Sequence, residues 1–326
     1  MAFFDVVIQF VALLAIELAY FKLANRLNII DQPNERSSHT RSTLRGGGVI
    51  FYVGALLFFI WSGFQYPWFF AGLSLITLVS FTDDFSGVPN RIRIGIHLLS
   101  VGLMFSEIGL LDETWWLVGV ALVVTIGIIN AYNFMDGING ITGGYSFVVL
   151  AGLGYVNTFQ VAYAPNELIL FTLLSLLVFN IFNFRPNARC FAGDVGSVSM
   201  AFIILFLLAS LMLSTQNLIY ILFLAVYGVD SVLTIVIRLW NRENIFRPHR
   251  SHLYQRMANE GGFPHILVSL YYMAVQAMIC IVVIWITGWS LASQLVISFL
   301  CLGVLAGIYV GLSGSYRTEN IIQTYS

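Results

Sequence analysis

The sequence is poor in charged side chains and has no long polar segment. Only 10% of its 326 residues are Asp, Glu, Lys or Arg, whereas soluble domains carry about a quarter. Hydrophobic residues make up 59% of the chain, more than a single buried core can accommodate. This composition argues against an ordinary soluble domain and indicates that the lipid bilayer is the solvent for most of the surface.

Cysteine is also scarce. Cys190, Cys280 and Cys301 provide neither a disulfide framework nor the spacing of a metal site. Cys280 and Cys301 fall inside apolar runs, which is typical of small buried thiols. No basic leader precedes the first apolar run, and this run is too long for the core of a signal peptide, so we expect a permanent span.

Apolar runs long enough to cross a bilayer recur to the end of the chain. They predict an all-α, polytopic transmembrane bundle of about eleven spans, or ten because the third and fourth runs are short. We expect one integral-membrane domain over residues 1–326. The runs lie near residues 3–24, 47–64, 66–81, 94–109, 114–132, 141–162, 167–184, 196–214, 217–237, 265–287 and 291–313.

Basic residues separate the two sides of this bundle. If segments 25–46, 82–93, 185–193, 238–264 and 314–326 are assigned to one side, all 15 Lys and Arg lie on that side or at a helix end touching it. The opposite connections hold acidic residues instead. Basic loops are retained in the cytoplasm, so we expect an outside N-terminus and a cytoplasmic C-terminus.

Polar side chains gather at the predicted cytoplasmic helix ends. A charged group at the centre of a spanning helix costs about 3 kcal/mol, so it needs a partner or a function. Most of these side chains end or begin a helix, whereas Asp230 lies about two turns inside the ninth. They are Asp83, Asp84, Asn130, Asn133, Asp136, Asn180, Asn183, Asp194 and Asp230.

Two adjacent carboxylates, Asp83 and Asp84, end the third run. Because they repel each other, either a divalent cation or the basic groups of a phosphate site would stabilise them. The alternative is a solvated loop start, with Gly87, Pro89 and Asn90 as turn residues.

The segment NAYNFMDGINGITGG carries Asn133 and Asp136 three residues apart on one helical face. The glycines that follow allow close backbone approach and N–H donors for an anion, which suits a nucleotide diphosphate. The alternative is a capping loop between two helices. The segment lacks the later oxygen ligands of an EF-hand, and Gly140-Ile141 stand where a CDP-alcohol phosphotransferase requires Ala-Arg.

The segment CFAGDVGSVSM places Asp194 between Gly193 and Gly196, immediately before an apolar helix. An Asp at this point commonly caps a helix. Flanking glycines also leave room for Mg2+ and the waters that it keeps. The sequence leaves both interpretations open.

Two basic loops both combine arginine with histidine. The last loop contains His249, Arg250 and His252 among further arginines, and the first contains Arg36, His39 and Arg45 before three glycines. Positive-inside bias accounts for some of these arginines. Guanidinium and imidazole groups suit diphosphate and sugar hydroxyls, whereas zinc-finger spacing and the P-loop ending are missing.

In this combination the chain resembles the polyprenyl-phosphate N-acetylhexosamine-1-phosphate transferase superfamily, glycosyltransferase family 4, which includes the muramoyl-pentapeptide translocase. The likeness spans nearly the whole chain, and its last loop and Arg-Gly-Gly-Gly element look most like enzymes that prime O-antigen-type glycans. Five motifs in order carry it: DQPNERSSHTRSTLRGGG, DDFSGVPNRIRIGIH, NAYNFMDGINGITGG, FAGDVGS and DSVLTIVIRLWNRENIFRPHRSHLYQR.

The resemblance implies a role for each motif. Asp194 matches the family's magnesium-coordinating aspartate, and Asp83 and Asp84 match the pair associated with the lipid phosphate. Asn133 and Asp136 match the element for nucleotide binding and catalysis. Arg93 falls near the position that holds the carrier phosphate. The carbohydrate-recognition loop corresponds to His249, Arg250 and His252.

Partners and location follow from the same resemblance. It implies a UDP-sugar, undecaprenyl phosphate, the bilayer and Mg2+ or Mn2+, in a multi-pass protein of the bacterial inner membrane with its active site on the cytoplasmic face. The active-site loops would be 25–46, 82–93, 133–140, 185–195 and 238–264. A homodimer is compatible with the resemblance, and we expect no nucleic-acid partner.

At two positions the sequence departs from the family pattern, and these departures limit which residue roles the resemblance implies. Many members have a second aspartate where this chain has Asn139, so no catalytic role is expected there. His-Arg-Ser-His replaces the translocase's three histidines, which argues against the muramoyl-pentapeptide substrate. The sugar and the glycan pathway stay open.

Two other classes of function compete with an enzyme. A transporter would use intramembrane carboxylates, usually near the midplane between broken helices, and here only Asp230 and Glu17 lie away from a helix end. A scaffold for glycan assembly would not need dense acid, amide and glycine motifs. The sequence favours the enzyme.

Overall fold

The structure is a computed structural model that describes residues 3–32, 42–244 and 250–325, with side chains to residue 315. The described chain is a bundle of α-helices, as predicted. The helices are α1 Phe3–Arg26, α2 Val49–Trp61, α3 Pro67–Ser86, α4 Asn90–Glu107, α5 Trp115–Met135, α6 Ile141–Phe159, α7 Asn166–Asn183, α8 Gly193–Thr215, α9 Ala225–Trp240, α10 Leu253–Asn259, α11 His265–Ile286 and α12 Leu291–Tyr325.

Eight of these helices are long and apolar enough to cross a membrane. They are α1, α3, α5, α7, α8, α9 with the 3-10 helix Leu218–Leu224 before it, α11 and α12. A helix also occupies each of the three remaining predicted runs. Of these, α2 has only 13 residues and α4 begins with Arg91 and Arg93. The chain is a multi-pass membrane protein.

Helix α8 lies at the centre of the bundle. In its most apolar 18-residue stretch 83% of the residues are buried, against 17% in α1 and 11% in α12. Phe202 and Phe206 of α8 stack on Phe69 of α3, with ring centroids 5.8 and 4.0 Å away. The N-terminus of α8, which carries Asp194, is therefore surrounded by other helices.

The segment before α2 passes very close to the start of α8. The strands β1 Ile30–Asp31 and β2 Thr43–Leu44 pair antiparallel. The backbone N–H groups of Gly47 and Gly48 then donate to the carbonyls of Phe191 and Ala192. A Cβ on Gly48 would lie 2.3 Å from the Cα of Gly196, which only glycine at both positions accommodates. This contact fixes Arg45 beside Asp194.

Candidate active site

The end of α3, the starts of α4 and α8 and the segment before α2 meet at one end of the bundle. Arg45 Nε lies 2.8 Å from Asp84 Oδ1, and Arg93 Nη1 lies 2.5 Å from Asp83 Oδ2. Arg45 and Asp84 lie far apart in the sequence, whereas Asp83 and Arg93 are ten residues apart. The structure thus brings two of the predicted arginines onto the predicted aspartate pair.

Asp194 lies between the two arginines. Its Oδ1 is 3.5 Å from Arg45 Nη2, and its Oδ2 is 3.6 Å from Arg93 Nη2. Both distances exceed those of strong charge-assisted hydrogen bonds. The Asp194 side chain is 20% exposed, more than those of Asp83 at 13% and Asp84 at 1%, so it is the most accessible of these three carboxylates.

The carboxylate of Asp84 caps helix α8. Its two oxygens accept from the backbone N–H groups of Asp194 and Val195, at 2.9 and 3.0 Å. A negative group at a helix N-terminus is favourable because the first N–H groups lack helical partners. With Arg45 beside it as well, Asp84 is fully engaged within the protein and orients the loop that carries Asp194.

The glycine before Asp194 is required by this cap. Gly193 has φ +72°, and a Cβ there would lie 2.6 Å from Asp84 Oδ2. A side chain at this position would therefore both strain the backbone and displace the capping carboxylate. Gly193 is therefore needed for the geometry of the cap, in addition to the room beside Asp194 that the sequence predicted.

Asp83 points to the other side of the α3 end. Its Oδ1 accepts from the backbone N–H of Val88 at 2.6 Å, and its Oδ2 pairs with Arg93. It therefore orders the short loop into α4 and the arginine that follows. Unlike Asp84, its side chain retains some contact with solvent.

The loop after α5 is tied to the same end of the bundle. Asn133 Nδ2 donates to Ser197 Oγ of α8 at 3.2 Å, and Asp136 Oδ1 accepts from Thr142 Oγ1 at 2.7 Å. The pKa of the Asp136 carboxyl is raised to about 7, mainly by removal from solvent and also by the charges of Asp194 and Asp84, while the Thr142 hydrogen bond opposes the rise.

The last loop packs against the loop after α5. The His252 ring lies 6.3 Å from the Phe134 ring, and the Tyr254 hydroxyl donates to the Phe134 carbonyl at 2.8 Å. His252 is buried and its Nδ1 lies 3.1 Å from Asp230 Oδ1, while Arg250 is half-buried. The predicted nucleotide and sugar segments are therefore neighbours.

Three predicted binding residues, Arg36, His39 and His249, lie outside the described residues. Asn139, which was expected to have no catalytic role, is 5% exposed. Its Nδ2 donates to the carbonyls of Arg185 and Pro186, each at 3.0 Å. The Asn139 side chain therefore fastens the loop between α7 and α8.

Sequence reasoning missed Thr142 and Tyr254. Thr142 lies six residues after Asp136, in the first turn of α6. A hydroxyl at the start of a helix was the sequence feature that could have indicated it as a partner of Asp136. Tyr254 reaches across from α10, and a space for its hydroxyl is left by Gly137, where a Cβ would lie 2.2 Å from it. No pattern within the sequence indicates that contact.

The donor set suits a magnesium ion that takes few protein ligands. Within the described ranges no three His, Cys, Asp or Glu side chains are grouped as a metal cage. Mg2+ is commonly held by one or two carboxylates together with substrate phosphates. The partly exposed Asp194, flanked by the guanidinium groups of Arg45 and Arg93, fits that description.

Comparison with known proteins agrees with this geometry. The family model "Glycosyl transferase family 4" matches residues 66–214, which include Asp83, Asp84, Asn133, Asp136 and Asp194.

Several curated relatives extend the likeness over most of the chain. An undecaprenyl-phosphate alpha-N-acetylglucosaminyl 1-phosphate transferase of Yersinia pestis is 25% identical over 86% of this chain and 85% of its own. The protein of that name from Escherichia coli K12 is 23% identical over 74% and 72%. A decaprenyl-phosphate N-acetylglucosaminephosphotransferase of Mycobacterium leprae is 27% identical over 77% and 75%. Over most of its length the chain is thus similar to polyprenyl-phosphate N-acetylglucosamine-1-phosphate transferases.

Proposed function

We propose that this protein transfers an N-acetylhexosamine-1-phosphate, or a related deoxyamino-sugar-1-phosphate, from a UDP-sugar to undecaprenyl phosphate and releases UMP. One observation carries the proposal: the Asp194 carboxylate lies between Arg45 and Arg93 at the end of the bundle where the helix termini meet. The names of the relatives support the same reaction. The product would start a cell-surface glycan of the O-antigen or capsule type.

In this reaction an oxygen of the carrier phosphate attacks the β-phosphorus of the UDP-sugar. The bond from that phosphorus to the oxygen shared with the α-phosphate breaks, and UMP leaves with the electron pair. Phosphoryl transfer depends mainly on positioning and on neutralising charge. Arg45 and Arg93 provide planar donors for phosphate oxygens, and each is already oriented by an aspartate.

Of the aspartate pair, Asp83 is the better candidate to receive a proton from the carrier phosphate. Both oxygens of Asp84 accept backbone N–H groups, so a role for Asp84 in proton transfer would break the cap of α8. Asp83 is partly accessible and adjoins Arg93. The last proton of a phosphate monoester has a pKa of about 6, so base catalysis contributes little near neutral pH.

Asp194 would hold Mg2+, or Mn2+, together with the diphosphate of the donor. The ion would supply neutralisation of the charge that develops on the departing UMP. Asn133 adjoins Asp194 through Ser197, and Asp136 lies near enough for the charge of Asp194 to raise its pKa, which favours the nucleotide at this side. The loop with His249, Arg250 and His252 would contact the sugar, and Arg36 and His39 would complete the basic surface.

The site would face the cytoplasm from the bacterial inner membrane. The support is the sequence distribution of the 15 basic residues, which fall in or next to the segments predicted to be cytoplasmic. The nucleotide would then enter from the cytoplasm and the prenyl chain from the bilayer. A transporter is not favoured, because the carboxylate cluster lies at one end of the bundle and the similar proteins are named as transferases.

The reaction is tested by measuring UMP release from a panel of UDP-N-acetylhexosamines by the purified protein. The assay is run with and without undecaprenyl phosphate, and with Mg2+, Mn2+ or EDTA. Release that requires both the lipid and the metal, and that differs among the sugars, is the expected result. Failure of every donor, together with failure of UDP-sugars to bind, would overturn the proposal.

A further inference from the structure

Asp230 accepts an unusual number of hydrogen bonds for a residue inside a spanning helix. It belongs to α9 and is 3% exposed. Its donors come from α9 itself, the last loop, the start of α10 and α11. They are Thr234 Oγ1 at 3.2 Å, His252 Nδ1 at 3.1 Å, Leu253 N at 3.1 Å, Tyr254 N at 3.4 Å and Tyr272 Oη at 2.6 Å.

A carboxylate buried to this extent is costly unless its oxygens are satisfied. The donors around Asp230 provide that compensation, and most of them belong to the segment 252–254 and to α11. The carboxylate therefore fastens the end of the last loop to the membrane-embedded part of the bundle. A solely structural capping role would account for the two backbone contacts but does not require the contact with the His252 ring.

The contact with His252 determines which ring nitrogen carries a proton. A carboxylate oxygen accepts only, so Nδ1 of His252 must donate to Asp230. The properties of Nε2, the other ring nitrogen, are then set by Asp230. Carboxylates that orient imidazoles in this way are common behind functional histidines.

The fastened segment adjoins the loop that carries Asn133 and Asp136. His252 lies against Phe134, and Tyr254, whose N–H donates to Asp230, donates its hydroxyl to the Phe134 carbonyl. A shift of Asp230 would therefore change how the two loops face each other.

We propose that Asp230 is a positioning residue for the transfer reaction. It holds the His252 ring and segment 252–254 in register with Asn133 and Asp136 at the end of α5, so that the last loop contacts the sugar of the donor. This inference rests on the proposed function. Asp230 itself contacts neither substrate, and its influence on the reaction passes through His252.

The first test compares steady-state kinetics of Asp230→Asn with those of the wild type. Asparagine keeps one accepting oxygen but cannot satisfy all the donors, so the loop shifts. We expect KM for the UDP-sugar to rise about tenfold or more, with KM for undecaprenyl phosphate unchanged. A loss of kcat or yield with unchanged KM for the donor would mean a solely structural role and would overturn the proposal.

A matched control and a milder variant accompany it. Glu107 also caps a helix start, accepting from the N–H groups of Trp68 and Phe69, but lies at the opposite end of the bundle. Glu107→Gln should change thermal stability without changing KM for the donor. If Asp230→Asn does not fold, Tyr272→Phe removes a single donor and should raise the donor KM about twofold to fivefold; no rise would contradict the proposal.

The dependence on His252 is tested by combining the variants. In a His252→Gln background, Asp230→Asn should raise the donor KM no further, because both changes remove the same arrangement. Full additivity of the two effects would show that Asp230 acts by another route and would overturn the proposal.

A measurement without turnover separates this inference from the reaction itself. Nitrogen-15 spectra of histidine-labelled protein should show His252, assigned from its loss in His252→Gln, with a protonated Nδ1. That signal should change in Asp230→Asn and persist in Glu107→Gln. If the signal responds and the wild type transfers no sugar, the proposed function fails while the Asp230–His252 link stands; an unresponsive signal overturns the link.

Discussion

At the scale of single residues, neighbouring carboxylates have different surroundings. Asp84 is enclosed by Arg45 and by two backbone N–H groups, whereas Asp83 and Asp194 retain exposed surface. Their substitution should therefore have different consequences, some for stability and some for turnover.

Exchange of Asp84 for Asn should mainly destabilise the protein. The change removes a buried charge that Arg45 and the start of α8 both require, and breaking one partner of such a buried pair costs about 3–5 kcal/mol. Asp83→Asn should leave the thermal midpoint within a few degrees and lower kcat about a hundredfold, because Arg93 loses the carboxylate that orients it. Thermal unfolding in detergent and UMP release check both. Equal losses of stability in the two variants would contradict the distinction.

Asp194→Asn should abolish turnover and leave the fold intact. The side chain is partly exposed and makes only long contacts with Arg45 and Arg93, so little stability depends on it. The assay is UMP release over a range of Mg2+ concentrations, with circular dichroism as a check of folding. Substantial residual activity would remove the metal-binding role proposed for this residue.

The Asp136 carboxyl should make stability depend on pH. Its pKa of about 7 in the folded protein exceeds the value of about 4 for an exposed Asp. The folded state therefore holds this proton more tightly, and the resulting stabilisation is complete below pH 4 and is lost as pH rises through 7. Asp136→Asn, which cannot ionise, should raise the thermal midpoint more at pH 8 than at pH 5.5. An equal change at both values would contradict this.

At the scale of elements, the close passage of the segment before α2 across α8 organises the site. Two glycines permit it, and one backbone ladder from Leu44 to Gly48 keeps it in place. Arg45 belongs to this ladder, so its distance from Asp84 and Asp194 depends on the backbone contact rather than on side-chain length.

Gly48→Ala should therefore weaken both fold and activity. A methyl group would lie 2.3 Å from the Cα of Gly196, and backbone cannot yield as a flexible side chain can. We expect a loss of about 2–3 kcal/mol, as for other overpacked positions. Gly127→Ala in α5 is the control, because nothing lies within 4 Å of its added Cβ and Ala favours a helix by about 1 kcal/mol. Similar thermal midpoints for the two variants would refute this account.

At the scale of the whole molecule, the described residues form eight long apolar helices and four shorter or more polar ones, and the two ends of the bundle differ in chemistry. Ion pairs and backbone caps occupy the end with Asp194. The opposite end carries acidic residues such as Glu107, Asp112 and Glu113 and exposed tryptophans.

The proposed orientation is tested by single reporter cysteines. Glu113→Cys should react with a membrane-impermeant thiol reagent added to intact spheroplasts, whereas Arg242→Cys should react only after lysis, because positive loops stay in the cytoplasm. The native thiols Cys190 and Cys280 are buried, so the unmodified protein gives the background. Labelling with the reverse pattern would invert the orientation.

The sequence by itself determined the helical membrane architecture and marked the polar residues that the structure brings together at one end of the bundle. A spanning helix makes all its backbone hydrogen bonds within itself and needs about 20 apolar residues. Each span can therefore be predicted from its own segment of sequence. Ionisable groups are costly in lipid, so Asp83, Asp84, Asp136 and Asp194 stood out against the apolar background.

Only the tertiary structure decided how those residues are employed. Asp84 caps α8, Asn139 holds the loop between α7 and α8, and Asp230 pairs with His252. In each case the hydrogen-bond partner comes from a distant part of the chain. Contacts of this kind depend on how the helices pack, so the periodicity of the sequence within one helix does not predict them. Residue type marks where polar chemistry collects in a membrane protein, while packing determines which carboxylate is enclosed and which stays accessible.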